Sequence, residues 1–304
     1  MRSLRDAYGD ALLELGEEFP KVWVVDVDVG RSCKTGAFQE AWPERYVNVG
    51  IAEQNAAGLA AVGITPFVTT YAAFGSMRMC EQIRQSICYP RLNVKIMCSH
   101  GGLTPANDGA THQCVEDLGI MRTLPGMTVV APGDYFAAKK LVRAAAVYEG
   151  PVYMRFTRDP IPFVYDSGET FTIGKGKVLR EGDQAAIIAA GDVLSQAKAA
   201  AEALAAKGVR ICLVDMHTIK PLDTALLEQI MSVCGNIVTV EDHNIINGLG
   251  SAVAEQAAEH GGCRVRRIGV QDRFGESGPY PALLEDNGIT VDHIIESVEA
   301  LLRR

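Results

Sequence analysis

A single acidic residue, Glu53, stands inside a run of small and mostly apolar residues at positions 49–56 (VGIAEQNA). The run predicts the passage from a loop into a helix. Burial among apolar groups disfavours the charged form of a carboxyl group, so a partly dry carboxyl can share a proton with a basic ring nitrogen of a ligand. The alternative interpretation is a helix that begins with an acidic first turn, which the helix dipole favours. Other residues along the chain decide between the two.

The bulk composition limits the kind of protein this can be. The chain has 304 residues, 48% of them hydrophobic, which suits two domains with a core each. The net charge of −8 argues against nucleic acid or an anionic membrane as main partner, although local basic residues can still bind small anions. The eight cysteines form no Cys-x-x-Cys pair, which favours buried, reduced thiols. With no signal-peptide pattern and no membrane-length apolar run, we expect a cytoplasmic protein that binds neither nucleic acid nor membranes.

Apolar strand-like runs alternate with helical stretches in the first half of the chain. Apolar residues recur at helical spacing from Leu4 onward, and residues 74–87 and 135–148 have a helical pattern too. Strands that are apolar throughout and alternate with helices predict a mainly parallel sheet covered on both faces. Such a sheet binds ligands beyond the carboxyl ends of its strands. The strand-like runs are residues 22–25, 94–98, 127–130 and 152–154.

A change of composition follows the first half. Residues 158–163 and 168–176 are rich in Pro and Gly, as is typical of a linker. Beyond it the alternation restarts, with strand-like runs at residues 185–190, 209–214, 236–240 and 265–270. We therefore expect an α/β protein of two three-layer α/β/α domains, at residues 1–166 and 175–304.

Polar side chains follow several predicted strands of the first domain. In a parallel sheet these strand ends meet at one edge, so the side chains are expected to form a shared site for an anionic ligand. They are Asp26, Asp28, Arg31, Ser32 and Thr35 after the first strand, Glu53 after the short run 46–49, His100, Asp108, Thr111 and His112 after the strand that ends at Cys98, and Arg155 and Arg158 after the strand that starts at Val152.

Over essentially its whole length the chain resembles the C-terminal half of transketolase. The resemblance implies a thiamine diphosphate pyrimidine-binding domain followed by the transketolase C-terminal domain. It rests on an ordered set of motifs: residues 26–28 (DVD), 50–55 (GIAEQN), Tyr71 with Phe74, 81–84 (EQIR), 108–113 (DGATHQ), 125–127 (PGM), 150–151 (GP) leading to Arg158, 215–222 (DMHTIKPL), 241–243 (EDH), 248–250 (GLG) and 272–278 (DRFGESG).

The resemblance implies roles on the coenzyme side of the site. Glu53 matches the glutamate that binds the pyrimidine ring nitrogen. Phe74 matches the aromatic residue that stacks on the aminopyrimidine, and Tyr71 lies in the same matched stretch. Met77 falls where transketolase places a further ring near the coenzyme, which is a modest departure.

It also implies roles on the substrate side. His100 matches a histidine at the sugar-phosphate or distal hydroxyl end, and Asp108 matches an aspartate that binds a substrate hydroxyl. His112 matches a histidine near the reacting carbons, suited to hydrogen bonding or proton transfer at neutral pH. The further expected phosphate contacts are Arg158, whose guanidinium fork fits a phosphate, and, aligned less securely, Arg5 and Ser32. Residues His217, Lys220, Glu241 and His243 of the second domain are expected to be structural or interfacial.

One family motif is missing. Thiamine diphosphate enzymes bind Mg²⁺ and the diphosphate through a Gly-Asp-Gly motif, with an asparagine about 30 residues further on. This sequence contains no Gly-Asp-Gly. The resemblance therefore implies one subunit of a split transketolase. An N-terminal partner subunit would anchor Mg²⁺ and the diphosphate, in an α2β2 heterotetramer whose active site forms where the subunits meet.

The implied reaction is transfer of a two-carbon ketol unit from a ketose phosphate to an aldose or aldose phosphate. A 1-deoxyxylulose-phosphate synthase-like enzyme is one alternative, but that family tends to have arginine at the position of His100. A 2-oxo-acid dehydrogenase beta subunit is another, but its usual Phe-x-Asp-Phe stretch differs from residues 71–74 (YAAF). A non-catalytic partner subunit is disfavoured by the presence of Glu53, Asp108, His112 and Arg158. Residues 106–110 (ANDGA) depart from the family pattern, which leaves the sugar pair open between the pentose phosphate pathway and a dedicated catabolic route.

Overall fold

A computed structural model describes residues 1–60 and 65–303 of the protein. Its strands form two sheets with helices packed against them. The first sheet contains β1 (Val22–Asp26), β2 (Tyr46–Asn48), β3 (Thr65–Tyr71), β4 (Lys95–Ser99), β5 (Thr128–Val130), β6 (Val152–Arg155) and β10 (Thr218–Lys220). The second contains β7 (Lys177–Arg180), β8 (Ala185–Ala190), β9 (Ile211–Asp215), β11 (Asn236–Asn244) and β12 (Arg264–Val270).

Helices of several types connect these strands. The α-helices are α1 (Leu4–Glu18), α2 (Gly30–Cys33), α3 (Gly36–Ala41), α4 (Glu53–Leu59), α5 (Cys80–Gln82), α6 (Asp117–Thr123), α7 (Tyr135–Val147), α8 (Leu194–Ala206), α9 (Thr224–Val233), α10 (Leu249–His260), α11 (Tyr280–Asp286) and α12 (Val291–Leu302). Short 3₁₀ turns lie at Pro43–Arg45, Ala106–Asp108 and Gly191–Val193, and π-helical turns at Phe74–Arg78 and Ile83–Cys88. Across the part of the chain that the structure describes, none of the helices combines the length and the apolarity needed to cross a membrane.

Both sheets are mainly parallel. The strand order is β10-β5-β6-β4-β3-β1-β2 in the first sheet and β12-β11-β8-β9-β7 in the second. Only β10 against β5, and β7 against β9, run antiparallel within the described residues. The prediction of an α/β fold with a mainly parallel first sheet and a second α/β domain is confirmed. Parallel direction brings the carboxyl ends of β1, β2, β3, β4 and β6 to one edge, as expected from the sequence.

Apolar packing covers both faces of the first sheet. Neighbouring residues of a strand point to opposite faces, and Val24 and Val25 of β1 belong to two different hydrophobic clusters. The same holds for Ile96 and Met97 of β4, and all four side chains are buried. Both faces being dry explains why these strands are apolar throughout instead of alternating with polar residues.

The first helix begins at a capping box. The Ser3 side chain accepts a hydrogen bond from the backbone N–H of Asp6, and the Asp6 side chain accepts one from the backbone N–H of Ser3. The apolar face of α1 then packs on α7, whose N-cap Asp134 accepts from Ala137 N–H. The second oxygen of Asp134 accepts the N–H groups of Val164 and Tyr165, which fixes the start of the connection to the second sheet.

The second half of the chain contributes to the first sheet. Strand β10 lies between β9 and α9 in sequence, yet it pairs with β5 at the edge of the first sheet. From its end, Lys220 Nζ donates to the carbonyl oxygens of Arg122 and Leu124, at 2.8 and 2.6 Å. His243 Nε2 accepts the N–H of Gly119 at 3.1 Å. Hydrogen bonds thus tie the second half of the chain to the first.

The predicted helix at residues 74–87 is replaced by a more irregular segment. A π-helical turn at Phe74–Arg78 precedes α5, and a second π-helical turn at Ile83–Cys88 follows it. In the first turn the N–H of Met79 donates to the carbonyl oxygen of Phe74, five residues back. A π-turn accommodates one residue more than an α-helical turn does, and such turns often lie at functional sites.

Candidate functional site

Glu53 is the first residue of α4, and only 7% of its side chain is exposed. The Arg78 Nη1 group donates to Glu53 Oε1 over 2.7 Å. The same guanidinium lies over the ring of Phe74, with its central carbon 4.0 Å from the ring centroid. Glu53 and Phe74 therefore act together on one flat group, which donates a hydrogen bond to the carboxylate while it covers the aromatic face.

This pair opens onto a cavity of about 660 Å³. The N-terminal turn of α4 and the segment after β3 form its walls, so the buried carboxylate is reachable from solvent along one side. The lining residues are Ile51, Ala52, Glu53, Gln54, Asn55, Arg78 and Gln82.

Three further rings gather beside Phe74. Tyr71, the last residue of β3, stacks on Phe74 with ring centroids 5.6 Å apart and on His100 with centroids 4.0 Å apart. His112 presents its edge to both aromatic residues, at 5.8 Å from Phe74 and 6.4 Å from Tyr71. The structure thus brings four of the predicted site residues together, although they come from three separate segments of the chain.

His100 follows β4 with a positive φ of 62°, in the left-handed region that residues other than glycine seldom adopt. Its Nδ1 lies 2.6 Å from Ser99 Oγ. Burial, together with the nearby charges of Arg5 and Arg158 and with His112, lowers the pKa of His100 to about 3. His100 is therefore a neutral hydrogen-bonding group at neutral pH.

Arg158 lies in the loop that follows β6. Its Nη1 donates to the carbonyl oxygen of Pro105 at 2.9 Å and is 3.4 Å from Asp108 Oδ2. A third of the Arg158 side chain remains exposed, and 40% of the Asp108 side chain does. Both predicted substrate residues are therefore accessible at the same rim.

Arg5 reaches this rim from α1. Its Nη1 donates to the backbone carbonyl of Ser32 at 2.8 Å, so Ser32 contributes its main chain to this contact. Arg5 Nε is buried and has no hydrogen-bond partner within residues 1–60 and 65–303. Its charge is close enough to lower the pKa of His100.

Met77 lies on the π-helical turn between Phe74 and Arg78 and has 45% of its surface exposed. The role of Met77 near a coenzyme stays a prediction, as do the roles of the other site residues.

Sequence reasoning missed Arg78 and misplaced Arg155. Phe74 and Arg78 are four positions apart, a spacing that puts two side chains on one helical face, so the aromatic–cation pair had a signal in the sequence. Arg155 was expected at the ligand-binding edge. The structure buries it instead, where it pairs with Asp117 at 3.1 Å and donates to the backbone oxygen of Asp242 at 2.9 Å.

A metal centre would need several ligating side chains close together. Within residues 1–60 and 65–303, His, Cys, Asp and Glu side chains do not gather in groups of three or more that could hold a metal ion.

Two protein-family models match this chain, one in each half. Residues 1–162 match the model of the transketolase pyrimidine binding domain, and residues 174–294 match that of the transketolase C-terminal domain. A provisionally named transketolase C-terminal section of Methanocaldococcus jannaschii is 42% identical, over 98% of this chain and 95% of that protein.

Two further relatives carry more specific names. The 6-deoxy-6-sulfo-D-fructose transketolase subunit SqwH of Clostridium sp. (strain MSTE9) is 38% identical, over 99% of this chain and 95% of that protein. A subunit of the apulose-4-phosphate transketolase of Phocaeicola vulgatus is 37% identical, over 90% of this chain and 88% of that protein.

A solved structure of a split gene transketolase, in an inactive beta4 tetramer, superposes with a TM-score of 0.91. It is 44% identical and covers 99% of this chain and 98% of its own. Two domain models and relatives of nearly equal length thus show the family: the chain belongs to the transketolase family and matches its C-terminal section.

Proposed function

We propose that this chain is the C-terminal subunit of a two-chain transketolase, which uses thiamine diphosphate to move a two-carbon ketol unit from a ketose phosphate to an aldose acceptor. The observation that carries the proposal is the pair Glu53 and Phe74, which together hold a flat hydrogen-bond donor beside an open cavity.

The residues present fit the pyrimidine ring of the coenzyme. Arg78 acts as a stand-in, because its guanidinium is flat, lies over Phe74 and donates to Glu53 as a protonated ring nitrogen would. Glu53 would hold that nitrogen, and Phe74 would support the face of the ring. When bound, the coenzyme supplies a carbon centre that stabilises the negative charge developing on the transferred unit. Arg78 must leave this space first, which its half-exposed side chain allows.

The neighbouring residues suit a phosphorylated sugar. Thr111 Oγ1 lies 3.0 Å from His112 Nδ1, so Nε2 is the atom through which His112 would exchange a proton with the substrate. Neutral His100 would hydrogen-bond a sugar hydroxyl, and Asp108 would accept from another. Arg158 would bind the phosphate through its guanidinium fork.

The partner would be an N-terminal transketolase subunit that holds the diphosphate and Mg²⁺. This chain has no Gly-Asp-Gly motif, and two relatives are named as subunits of transketolases. The split gene relative is inactive as a beta4 tetramer, which supports the view that this type of chain needs its partner for activity. We infer an α2β2 heterotetramer.

The sugar pair is not fixed by the family. One relative is named for 6-deoxy-6-sulfo-D-fructose and another for apulose 4-phosphate. A donor of the pentose phosphate pathway and a less common ketose phosphate are therefore both to be included in any screen.

The test is reconstitution with a separately expressed N-terminal subunit, thiamine diphosphate and Mg²⁺, followed by a screen of ketose phosphate donors. We expect turnover by the wild-type pair and a loss on the order of hundredfold or more for Glu53→Gln, with the assembly intact. Glu81→Gln is the matched control, since Glu81 is an exposed carboxylate of the adjacent segment. Near-normal turnover by the Glu53→Gln pair would contradict the coenzyme assignment.

A further inference from the structure

Asp242 of the second sheet reaches across to the loop that follows β4. The backbone N–H of Leu103 donates to both oxygens of this carboxylate, at 3.1 Å to Oδ1 and 2.9 Å to Oδ2. Asp242 is completely buried, and Leu103 is buried as well. A buried carboxylate that accepts a backbone N–H with both oxygens is a strong and directional restraint on the main chain.

The loop is shaped to bring its backbone against this carboxylate. Gly102 has a φ of +61°, and a Cβ atom at this position would lie 2.1 Å from Asp242 Oδ2. At Gly101 a Cβ would lie 2.1 Å from Cδ of Arg155. The two glycines therefore let the main chain pass between Arg155 and Asp242, where other residues would push it away.

Asp242 is itself held in place from two sides. The Tyr280 hydroxyl donates to Asp242 Oδ2 at 3.2 Å and also to Asp192. Arg155 donates to the backbone oxygen of Asp242 at 2.9 Å. These contacts leave the carboxylate little freedom, so it can hold the loop in one position.

The same loop carries the candidate substrate contacts. His100 stands at its start and stacks on Tyr71. Thr104 Oγ1 accepts from the backbone N–H of Arg158 at 3.4 Å, and the carbonyl oxygen of Pro105 accepts from the Arg158 guanidinium at 2.9 Å. A shift of Leu103 would therefore move residues on both sides of the candidate phosphate site.

We infer that Asp242 is a positioning residue, through which the second domain sets the geometry of the substrate-binding loop at residues 100–105. This gives the second domain a part in substrate recognition without any contact between it and the reacting atoms. The effect on KM rests on the proposed function. The effect on the loop itself rests only on the hydrogen bonds described above.

The test uses Asp242→Ala in the reconstituted two-chain enzyme. We expect KM for the phosphorylated donor to rise on the order of tenfold or more, because the loop loses its anchor. Affinity for thiamine diphosphate, measured by calorimetry, should stay within about twofold, since Glu53 and Phe74 lie on other elements. Asp242→Asn keeps one acceptor oxygen and should show a smaller rise. Gly102→Ala keeps the Asp242 carboxyl but crowds the loop against it, and should reproduce the KM effect.

Asp215→Ala is the matched control. Asp215 is also a fully buried aspartate of the second sheet, but its carboxylate accepts from Tyr165 and not from the loop. A general loss of folded enzyme would lower kcat for both variants and leave KM unchanged. An unchanged KM in Asp242→Ala and Gly102→Ala, or an equal rise in Asp215→Ala, would overturn the inference.

Two outcomes separate this inference from the proposed function. If the wild-type pair turned over no ketose donor, the proposed function would fail, and amide hydrogen exchange of residues 100–105 would still report on the loop. We expect faster exchange there in Asp242→Ala than in Asp215→Ala. If the wild-type pair were active and the KM values unchanged, only the positioning role would fail.

Discussion

Arg78 contacts Glu53 and Phe74, the two side chains that the coenzyme's pyrimidine ring would need. Removal of the Arg78 side chain should therefore strengthen coenzyme binding. The guanidinium pairs with Glu53 at 2.7 Å and covers the ring of Phe74 at 4.0 Å. Both contacts must break before another flat group can take their place. The change Arg78→Ala removes this competition without altering either partner.

The size of the effect follows from the two contacts. Half of the Arg78 side chain is exposed, so the ion pair is worth roughly 1 kcal/mol. The cation–aromatic contact adds about 0.5 kcal/mol at such a site. Together they amount to about 1.5 kcal/mol, which corresponds to roughly tenfold in a dissociation constant.

The assay is calorimetric titration of thiamine diphosphate, with Mg²⁺, into the reconstituted two-chain enzyme. We expect Arg78→Ala to bind roughly tenfold more tightly than wild type, with Arg78→Lys in between. Arg84→Ala is the matched control, because Arg84 is an exposed arginine of the same segment that forms no ion pair with Glu53. Unchanged or weaker binding by Arg78→Ala would refute the view that Arg78 competes for the site.

Two further predictions concern the substrate and the pH dependence of folding. Arg158→Ala should raise KM for phosphorylated donors on the order of 10- to 100-fold, which is the value of a charge-assisted hydrogen bond. KM for unphosphorylated analogues should not change. An equal rise in KM for both kinds of donor would exclude a phosphate role. Burial lowers the pKa of His217 to about 4, so between pH 6.5 and 4 the unfolded chain binds a proton that the folded chain does not, and stability falls as pH falls. His217→Asn should reduce this fall in the free energy of unfolding by on the order of 2 kcal/mol, measured by urea unfolding at pH 7.5 and pH 5. His293→Asn, at an exposed site, is the control and should not reduce it. An equal fall in both variants would contradict the role of His217.

Much of the first sheet was predictable because its strands are dry on both faces. Residues 22–25 and 152–154 lie within strands β1 and β6 of the structure. Strand β3 was missed, although Tyr71 at its end belongs to the site. Its sequence, TPFVTTY, mixes threonines and a proline with few apolar residues, and the threonines at positions 69 and 70 are buried by packing that the sequence does not reveal.

The convergence of site residues was predictable, but the partners of each were not. Parallel strand direction brings His100, Tyr71 and Arg158 to one edge, as the order of strands and polar loops indicated. Local sequence does not tell which arginine turns inward, because the acids that pair with Arg155 and Arg158 are distant in the sequence. Arg155 finds Asp117 and becomes buried, whereas Arg158 remains at the rim.

The contacts between the two halves of the chain were not predictable. Strand β10 belongs to the second half of the chain but extends the first sheet. The predicted boundary between residues 166 and 175 does not indicate this pairing. The boundary itself stays a prediction. The role of Asp242 could not be predicted from its place in the motif at residues 241–243, because its hydrogen-bond partner Leu103 is 139 positions away.

The proposed split site is tested most directly by thiamine diphosphate binding, measured by calorimetry with Mg²⁺, to this chain alone and to its mixture with an N-terminal transketolase subunit. We expect binding by the mixture only, because this chain offers a place for the pyrimidine ring and the partner one for the diphosphate. Tight binding by this chain alone would contradict the split site. Absence of binding by the mixture would contradict the coenzyme assignment of Glu53 and Phe74.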